Sequence, residues 1–354
     1  MGKLVALDAI GDSEFVDALR AAWDAGDAVL PVDPRLPAAA ARALIEALRV
    51  DEAVEDDDAL VVATSGTTGE PKGVVLTHDA IRASATATSA RLGVDHTTDR
   101  WLACLPLAHV GGLSVVLRAL LTDTPLVVHP TFEPAAAEAS GATLVSLVAT
   151  ALGRLRDPLR FRTIVLGGSS PPDEVPANTV VTYGMTETGS GVVYDGVPLD
   201  GVEVRVDAEG GVEVRGPMLL RAYRDGRDPK DADGWLSTGD VGEWDGTRLT
   251  VHGRAGDLII SGGENVWPAA VERVVGALAG VAAVAVVGRA DPEWGQRVVA
   301  IVVPTDPGAP PALDEVRAAV KAAIGPWAAP KELELVDALP RTALGKVRRG
   351  DLGS

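Results

Sequence analysis

The sequence predicts an α/β protein in which a large layered N-terminal domain, made of α/β sheets and a β subdomain, is joined by a hinge to a small α+β C-terminal domain. From residue 59 to about residue 200, apolar runs alternate with helix-like stretches, which is typical of a layered domain with a largely parallel sheet. Single apolar residues then alternate with polar ones, which predicts strands to about residue 252. Beyond Gly253–Asp257, about a hundred residues remain, a size typical of a separate domain. We therefore expect one domain at residues 1–253 and another at 254–354.

Residues 1–50 are expected to lead into the first domain with short helices and extended segments. A capping residue and helical apolar spacing predict a helix near Ser13, and similar spacing predicts another at 38–48. Six acidic residues then fall within the eight residues 51–58. We interpret this run as a solvated linker before the first core strand, with a metal site as the less favoured alternative.

The rest of the chain shows a regular order of strands and helices. Strands of the α/β segment are predicted at 59–63, 73–77, 101–105, 125–129, 143–147, 162–167 and 178–182, with helices at 79–92, 113–121 and 134–139. Strict alternation on both sides of a turn rich in Asp and Gly predicts a β-hairpin at 202–206 and 212–215. In the C-terminal segment we expect a strand, helix 268–278, strands 281–287 and 297–303, and helix 313–324.

Composition and charge narrow the class of protein. An apolar fraction of 47% across 354 residues is that of a globular protein with a sizeable core. The formal charge of −18, from 50 acidic and 32 basic residues, argues against partners that are nucleic acids or anionic membranes. The single cysteine, Cys104, lies in an apolar run and is expected to be buried, which suits a reducing cytoplasm. No apolar run has the length of a membrane span or a signal peptide core, so we expect a soluble, cytoplasmic protein.

The most informative motif is a segment rich in glycine and hydroxyl residues between predicted strands 59–63 and 73–77. Glycines allow backbone amides to turn inward, hydroxyls add donors, and a lysine adds positive charge, which together favour polyphosphate binding. The glycine spacing differs from that of the common P-loop, and a plain turn is the alternative. The candidate phosphate-binding residues are Thr64, Ser65, Gly66, Thr67, Thr68, Gly69 and Lys72.

A second polar segment follows predicted strand 178–182, where ligands of open α/β sheets bind. In Tyr183–Thr188, Glu187 is a candidate ligand for nucleotide-bound Mg²⁺, and Thr186 is a candidate phosphate donor. Tyr183 has a ring that can stack on a base.

Three further motifs lie closer to the C-terminus. Ser237–Asp240 is expected to form a tight turn whose carboxylate accepts from both ribose hydroxyls, and Arg254 is a candidate for ribose or phosphate. Lys346 lies in a loop that contains glycine. Taken alone, each motif is better explained by a capping or solvated residue. Their order after the phosphate-binding segment favours a nucleotide site.

With these motifs in this order, residues 59–350 resemble the adenylate-forming superfamily of acyl-CoA ligases, adenylation domains and luciferases. The resemblance implies a two-step reaction that uses ATP, Mg²⁺ and coenzyme A. A carboxylate attacks the α-phosphate of ATP and releases pyrophosphate. A thiol then displaces AMP from the acyl-adenylate and forms a thioester.

The resemblance also implies a role for each motif. Lys346 would bridge the carboxylate and the α-phosphate, because the first step brings two anions together. Residues 64–72, Thr186, and Mg²⁺ held by Glu187 would take the charge that develops on pyrophosphate. The residues implied for adenosine are Tyr183 and Gly184 beside adenine, with Asp240 and Arg254 on the ribose.

A hinge rotation is implied for the thiol step, and two features here depart from the family's pattern. Rotation would replace Lys346 by the loop 261–265, whose Gly262 and Gly263 would help to build the coenzyme A tunnel. Relatives carry Asp, Lys or another polar residue two positions after the hinge arginine, which is Arg254 in this chain, whereas this chain has Gly256 there. Glycine eases rotation but removes a side-chain contact. The segment before the phosphate-binding motif is shorter than in typical members. We therefore expect a truncated N-terminus, and a homo-oligomer is one way to cover the exposed face.

Within the superfamily, the chain looks most like the actinobacterial o-succinylbenzoate–CoA ligases of menaquinone biosynthesis, on residues 106–114, 183–190 and 259–268. This resemblance implies that His109 meets the second carboxylate of the substrate, with a structural hydrogen bond at a helix start as an equal alternative. Another aryl- or acyl-CoA ligase, a stand-alone adenylation enzyme and a non-catalytic nucleotide-binding protein are the other hypotheses. The implied pocket residues are Gly167, Gly168 and Ser169.

Overall fold

A computed structural model describes residues 2–65, 71–168, 171–172, 174–341 and 347–353. Two compact units are present: the first comprises residues 1–204, 213–236 and 245–249, and the second comprises 205–212, 237–244 and 250–354. The domain boundary at residues 253 and 254 stays a prediction.

The helices and strands predicted at 59–182, 202–215 and 268–324 occur in the expected order among the described residues. The α-helices are α1 (Ser13–Asp24), α2 (Ala38–Ala47), α3 (His78–Leu92), α4 (Val110–Leu121), α5 (Pro134–Ala139), α6 (Ala149–Leu152), α7 (Pro268–Gly276) and α8 (Leu313–Ala323). The strands are β1 (Leu4–Asp8), β2 (Ala28–Val32), β3 (Asp58–Ser65), β4 (Pro71–Thr77), β5 (Trp101–Ala103), β6 (Leu126–Val128), β7 (Leu144–Leu147), β8 (Thr163–Leu166), β9 (Thr179–Gly184), β10 (Gly191–Tyr194), β11 (Val197–Pro198), β12 (Glu203–Val206), β13 (Gly211–Arg215), β14 (Ala222–Tyr223), β15 (Leu236–Trp244), β16 (Leu249–Arg254), β17 (Ile259–Ser261), β18 (Glu264–Val266), β19 (Val281–Asp291), β20 (Gly295–Pro304) and β21 (Glu332–Leu335).

The first sheet of the first unit has the strand order β1-β2-β3-β4-β14. Strands β1, β2 and β3 run parallel, whereas β4 pairs antiparallel with both β3 and β14. Every residue of β2 is buried, as expected for an apolar strand that is covered on both faces. The antiparallel β3–β4 pair brings the two ends of the glycine-rich segment together, with Ser65 opposite Pro71.

The second sheet has the order β11-β10-β9-β8-β7-β5-β6 and carries most of the α/β architecture. Strands β6, β5, β7, β8 and β9 run parallel to one another, whereas β10 pairs antiparallel with β9. The parallel part confirms the predicted alternation of strands and helices. Its core includes Leu102, Val145 and Ile164, each with no exposed surface. The tyrosine-containing segment 183–188 therefore begins at the carboxyl end of β9, inside this sheet.

The predicted hairpin at 202–215 exists as β12 and β13, in a sheet of order β12-β13-β15-β16. The C-terminal part of the second unit is a sheet of order β18-β17-β20-β19, with β21 parallel to β20. Helices α7 and α8 contribute Val271 and Val316, both fully buried, to its apolar core. The small α+β unit is thus confirmed.

The acidic run 51–58 is not simply a solvated linker, which corrects the interpretation made from sequence. Asp58 is 2% exposed, and its two carboxylate oxygens accept from Arg221 at 2.8 and 2.9 Å. Arg221 also donates to Glu55 at 2.6 Å. The planar guanidinium satisfies both oxygens of Asp58, so this acid lies inside the fold rather than in solvent.

Cys104 is buried as predicted, and burial raises the pKa of its thiol to about 12. Within the described residues, no helix combines the length and the apolar character that crossing a bilayer requires.

Candidate active site

The ends of the glycine-rich segment lie side by side on β3 and β4. Thr64 pairs with Lys72 across the antiparallel ladder. The ammonium group of Lys72 lies 5.6 Å from the centroid of the Tyr223 ring. Gly66, Thr67, Thr68 and Gly69 lie outside the described residues, so the proposed phosphate contacts of that loop stay a prediction.

The segment that carries Glu187 is a short 3-10 helix, Thr186–Thr188, directly after β9. Tyr183 and Gly184 are the last residues of β9 and pair with β10 rather than lying beyond the strand end. The backbone N–H of Met185 donates to Thr188 Oγ1 at 2.9 Å, which closes the turn. A second attachment comes from the backbone N–H of Leu220, which donates to the carbonyl of Glu187 at 2.7 Å.

The carboxylate of Glu187 accepts a hydrogen bond from the hydroxyl of Tyr223, at 3.0 Å to Oε1. Burial raises the pKa of the Tyr223 phenol to about 12, and the negative charge of Glu187 adds to the shift. The phenol is therefore protonated at neutral pH and donates. Within the described part of the chain, no other hydrogen bond reaches this carboxylate, so its second oxygen is available to a cation.

Magnesium chemistry fits this arrangement. Among the described residues, no group of three or more His, Cys, Asp or Glu side chains could form an all-protein metal site. Mg²⁺ is commonly held by one or two carboxylates together with substrate phosphates, and the single carboxylate of Glu187 satisfies that requirement. Sequence reasoning missed Tyr223, because one aromatic residue in a two-residue strand carries no motif.

Asp240 and Arg254 come together in the second unit. Arg254 Nε lies 2.8 Å from Asp240 Oδ1, and Arg254 Nη1 donates to the carbonyl of Thr238 at 3.3 Å. Asp240 is 7% exposed. The expected tight turn at 237–240 is wrong, since these residues lie within β15, where Gly239 has a φ of +71°. A strand with a local irregularity, rather than a reverse turn, presents the carboxylate.

The residues assigned to the hinge and the thiol step also lie in the second unit. Gly256 lies in a 3-10 helix, Ala255–Asp257. Gly262 and Gly263 form the two-residue turn between β17 and β18, with φ of +64° and +85°, as a type I′ hairpin turn requires. Lys346, the implied catalytic lysine, lies outside the described residues.

The candidates for the acid pocket lie in the first unit. His109 is the N-cap residue of α4, and its side chain makes no capping hydrogen bond. The pKa of Asp33 is held below its ordinary value, first by a hydrogen bond from Arg35 and to a smaller degree by nearby His109. Gly167 and Gly168 follow β8, and the backbone N–H of Gly167 donates to the carbonyl of Leu147 at 3.1 Å. Ser169 lies outside the described residues.

Arg118 is a further residue of this region that sequence reasoning missed. It lies on α4, is 3% exposed, and its guanidinium donates to Ser114 Oγ at 2.7 Å and Ser190 Oγ at 3.1 Å. The guanidinium carbon lies 5.0 Å from the centroid of the Trp101 ring. Burial lowers the pKa of this group. The available signal was a single charge in the apolar helix 110–121.

The charge of Arg118 has no protein counter-charge in the part of the chain that the structure describes. Its Nε and Nη1 atoms have no hydrogen-bond partner there, and no carboxylate lies within ion-pair distance. The guanidinium lines a small cavity together with Ile81, Ser84, Ala85, Leu117 and Gly189. Because a buried, unpaired cation is costly, this group is suited to an anion that arrives with a ligand.

Known proteins resemble this chain in sequence and in fold. The profile of the AMP-binding enzyme family matches residues 47–223, and that of the AMP-binding enzyme C-terminal domain matches residues 270–346. A Mycobacterium tuberculosis protein named probable 2-succinylbenzoate–CoA ligase is 41% identical over 350 residues, covering 90% of this chain and 91% of that protein.

Two solved structures of o-succinylbenzoate CoA synthetase from Bacillus subtilis are also similar. The complex with the acyl-adenylate intermediate OSB-AMP has a TM-score of 0.90 at 28% identity, and the match covers 100% of this chain and 88% of that chain. The complex with ATP and magnesium ion has a TM-score of 0.88 at 28% identity, covering 99% of this chain and 89% of that chain.

Proposed function

This chain belongs to the family of AMP-binding enzymes, and we propose that it is an AMP-forming acid–thiol ligase that joins o-succinylbenzoate to coenzyme A, a step of menaquinone biosynthesis. The reaction takes place in two steps. An oxygen of the substrate carboxylate attacks the α-phosphorus of ATP, pyrophosphate leaves, and an acyl-adenylate forms. The thiol of coenzyme A then attacks the acyl carbon and AMP leaves with the phosphate oxygen.

The first unit supplies the groups that would bind the phosphates and stabilise their negative charge. Residues 64–72, with Lys72 at one end, would hold the β- and γ-phosphates, and Thr186 would donate to them. Glu187 would hold Mg²⁺, which when bound neutralises charge on the phosphate oxygens. Its single described hydrogen bond, from Tyr223, keeps the carboxylate oriented while one oxygen stays available.

The second unit supplies the groups assigned to ribose and to the two half-reactions. Asp240 would accept from the ribose hydroxyls, because its carboxylate is fixed by Arg254. Lys346 would bridge the attacking carboxylate and the α-phosphate. In the thiol step, rotation at Gly256 would replace Lys346 by the Gly262–Gly263 turn. From the first unit, Tyr183 and Gly184 would lie beside adenine.

The choice of acid is carried by Arg118. The substrate has two carboxylates: the one on the succinyl chain is activated, and the one on the ring remains charged throughout. A ring carboxylate placed beside Arg118 would meet a guanidinium with two nitrogens, Nε and Nη1, that have no hydrogen-bond partner and no counter-ion among the described residues. This favours Arg118 over His109 as the contact for the second carboxylate, since His109 lies at the start of α4 near Asp33.

Carboxylate-dependent exchange of pyrophosphate into ATP tests the proposal. The panel contains o-succinylbenzoate, the same keto acid without the ring carboxylate, benzoate and a fatty acid. We expect o-succinylbenzoate to give the highest kcat/KM for exchange. When coenzyme A is added, we expect its thioester with o-succinylbenzoate to form. Exchange with benzoate or the fatty acid alone would indicate another aryl- or acyl-CoA ligase, and ATP binding without exchange would indicate a non-catalytic nucleotide-binding protein.

We also propose that the enzyme works in the cytoplasm with small-molecule partners only. ATP and coenzyme A are cytoplasmic cosubstrates, and buried Cys104 needs no oxidising compartment. A net charge of −18 disfavours nucleic acids and anionic membrane surfaces as partners. Copies of this chain in a homo-oligomer are the one further partner that we propose.

A further inference from the structure

Tyr223 lies among three charged side chains of the first unit. Its hydroxyl is 3.0 Å from Oε1 of Glu187. The ammonium of Lys72 lies 5.6 Å from the centroid of its ring, and the guanidinium carbon of Arg227 lies 4.8 Å from it. One aromatic side chain therefore contacts both the carboxylate assigned to the metal and the lysine assigned to phosphate.

The backbone attaches Tyr223 to the same two elements. Tyr223 pairs with Val74 of β4, two residues after Lys72. On one side, the backbone N–H of Arg224 donates to the carbonyl of Gly73 at 2.7 Å. On the other, the backbone N–H of Leu220 donates to the carbonyl of Glu187 at 2.7 Å. The segment 220–224 thus links the strand that begins after the glycine-rich loop to the 3-10 helix that carries Glu187.

We propose that Tyr223 is a positioning residue that orients the Glu187 carboxylate toward nucleotide-bound magnesium and sets its separation from Lys72. No other described side chain fixes that carboxylate, so its orientation depends on the tyrosine hydroxyl. Side chains that hold a metal-binding carboxylate or imidazole in place commonly contribute 10–100-fold to metal affinity or activity, which sets the expected scale at about tenfold or more. The proposal rests on the function proposed above.

Tyr223→Phe removes the hydroxyl and keeps the ring that faces Lys72. We expect the Mg²⁺ concentration for half-maximal pyrophosphate exchange, at fixed ATP, to rise about tenfold or more. In equilibrium calorimetry, binding of ATP with Mg²⁺ should weaken by about the same factor. Binding of AMP in the presence of a chelator should be unchanged, because it involves neither the metal nor the outer phosphates.

Tyr194→Phe is the matched control. Tyr194 is 1% exposed, and its hydroxyl lies 3.2 Å from Thr88 Oγ1, so this change also deletes one tyrosine hydroxyl bond in the same unit. It should leave the Mg²⁺ dependence of exchange unaltered. The thermal midpoint of Tyr223→Phe should lie no lower than that of the control. In that case, a higher Mg²⁺ requirement of Tyr223→Phe cannot be explained by unfolding of the variant.

A double-mutant cycle with Glu187→Gln tests whether the tyrosine acts through this carboxylate. In the Glu187→Gln background, Tyr223→Phe should cause no further change in the Mg²⁺ dependence. An unaltered Mg²⁺ dependence in the single variant, an equal weakening of AMP and magnesium–ATP binding, or full additivity in the cycle would each overturn the proposal.

These outcomes are distinct from a failure of the proposed function. The binding measurements are made without a carboxylic acid substrate. They therefore test the role of Tyr223 whichever carboxylate the enzyme uses. In one such outcome, the unmodified enzyme gives no exchange with o-succinylbenzoate while Tyr223→Phe still weakens magnesium–ATP binding about tenfold. That result would contradict the proposed substrate and support the role of Tyr223.

Discussion

Replacing Arg118 with methionine should weaken recognition of the acid without lowering the stability of the fold. The guanidinium is 3% exposed and has hydroxyl and aromatic neighbours but no carboxylate among the described residues. Exchanging buried charged groups for apolar residues of similar volume is often neutral or stabilising by about 1–4 kcal/mol. We therefore expect the thermal midpoint of Arg118→Met to be equal to or higher than that of the unmodified protein.

The effect on the acid should be large. Removing one partner of a buried ion pair costs about 3–5 kcal/mol, and about 1.4 kcal/mol corresponds to a factor of ten. The kcat/KM for o-succinylbenzoate should thus fall by about a hundredfold to a few thousandfold, mainly through KM. The KM for ATP should stay unchanged, since Arg118 has no proposed contact with the nucleotide.

Pyrophosphate exchange with two acids is the assay: o-succinylbenzoate, and the same keto acid without its ring carboxylate. The unmodified enzyme should prefer the dicarboxylate, and Arg118→Met should lose most of that preference. Arg162→Met is the matched control, because it removes the 2.7 Å ion pair to Asp99, itself 4% exposed. This control should lower the thermal midpoint and keep the acid preference. Equal loss of exchange with both acids in Arg118→Met would show that Arg118 does not recognise the ring carboxylate.

Two further predictions concern Lys346 and the Asp33–Arg35 pair. Lys346→Ala should lower the rate of adenylation, measured by pyrophosphate exchange, by about a hundredfold or more. The variant should largely keep the rate of thioester formation from a preformed acyl-adenylate. Equal loss of both steps would contradict the role of Lys346. A hydrogen bond from Arg35 holds the pKa of Asp33 below 3.8, so the stability from this pair is present above that pH and is lost as pH falls through the lower folded pKa. Arg35→Met should therefore lower the free energy of unfolding at pH 7 by at most about 1 kcal/mol, and this difference from the unmodified protein should shrink as the pH falls below 3.8, as denaturant titrations at a series of pH values would show. A difference that stays constant across the acidic range argues against the prediction.

The fold was predictable where apolar periodicity is strong. Helix 134–139 was predicted with its bounds, and strands 59–63 and 73–77 lie within the longer β3 and β4. Ser237–Asp240 was assigned to a tight turn because its residue types favour turns. Ladder pairing within a four-stranded sheet overrides that local preference, and sheet pairing is not visible in a four-residue window.

Contacts between distant residues account for what the sequence did not predict. Asp58 is buried because Arg221, 163 residues later, satisfies its carboxylate, whereas the local pattern shows only an acidic run. Arg118 reaches Ser190, 72 residues away, so its burial depends on packing rather than on its own helix. Tyr223 meets Glu187 only because β14 pairs with β4. Motifs identified the chemistry, but these positioning and specificity contacts required the folded chain.

We propose that this chain converts o-succinylbenzoate to its coenzyme A thioester through an acyl-adenylate. The direct measurement is mass spectrometry of products after purified protein is mixed with o-succinylbenzoate, ATP, Mg²⁺ and coenzyme A. We expect the thioester and AMP in equal amounts, and acyl-adenylate with pyrophosphate when coenzyme A is left out. Formation of ADP, or no acyl-adenylate from o-succinylbenzoate while another acid is adenylated, would contradict it.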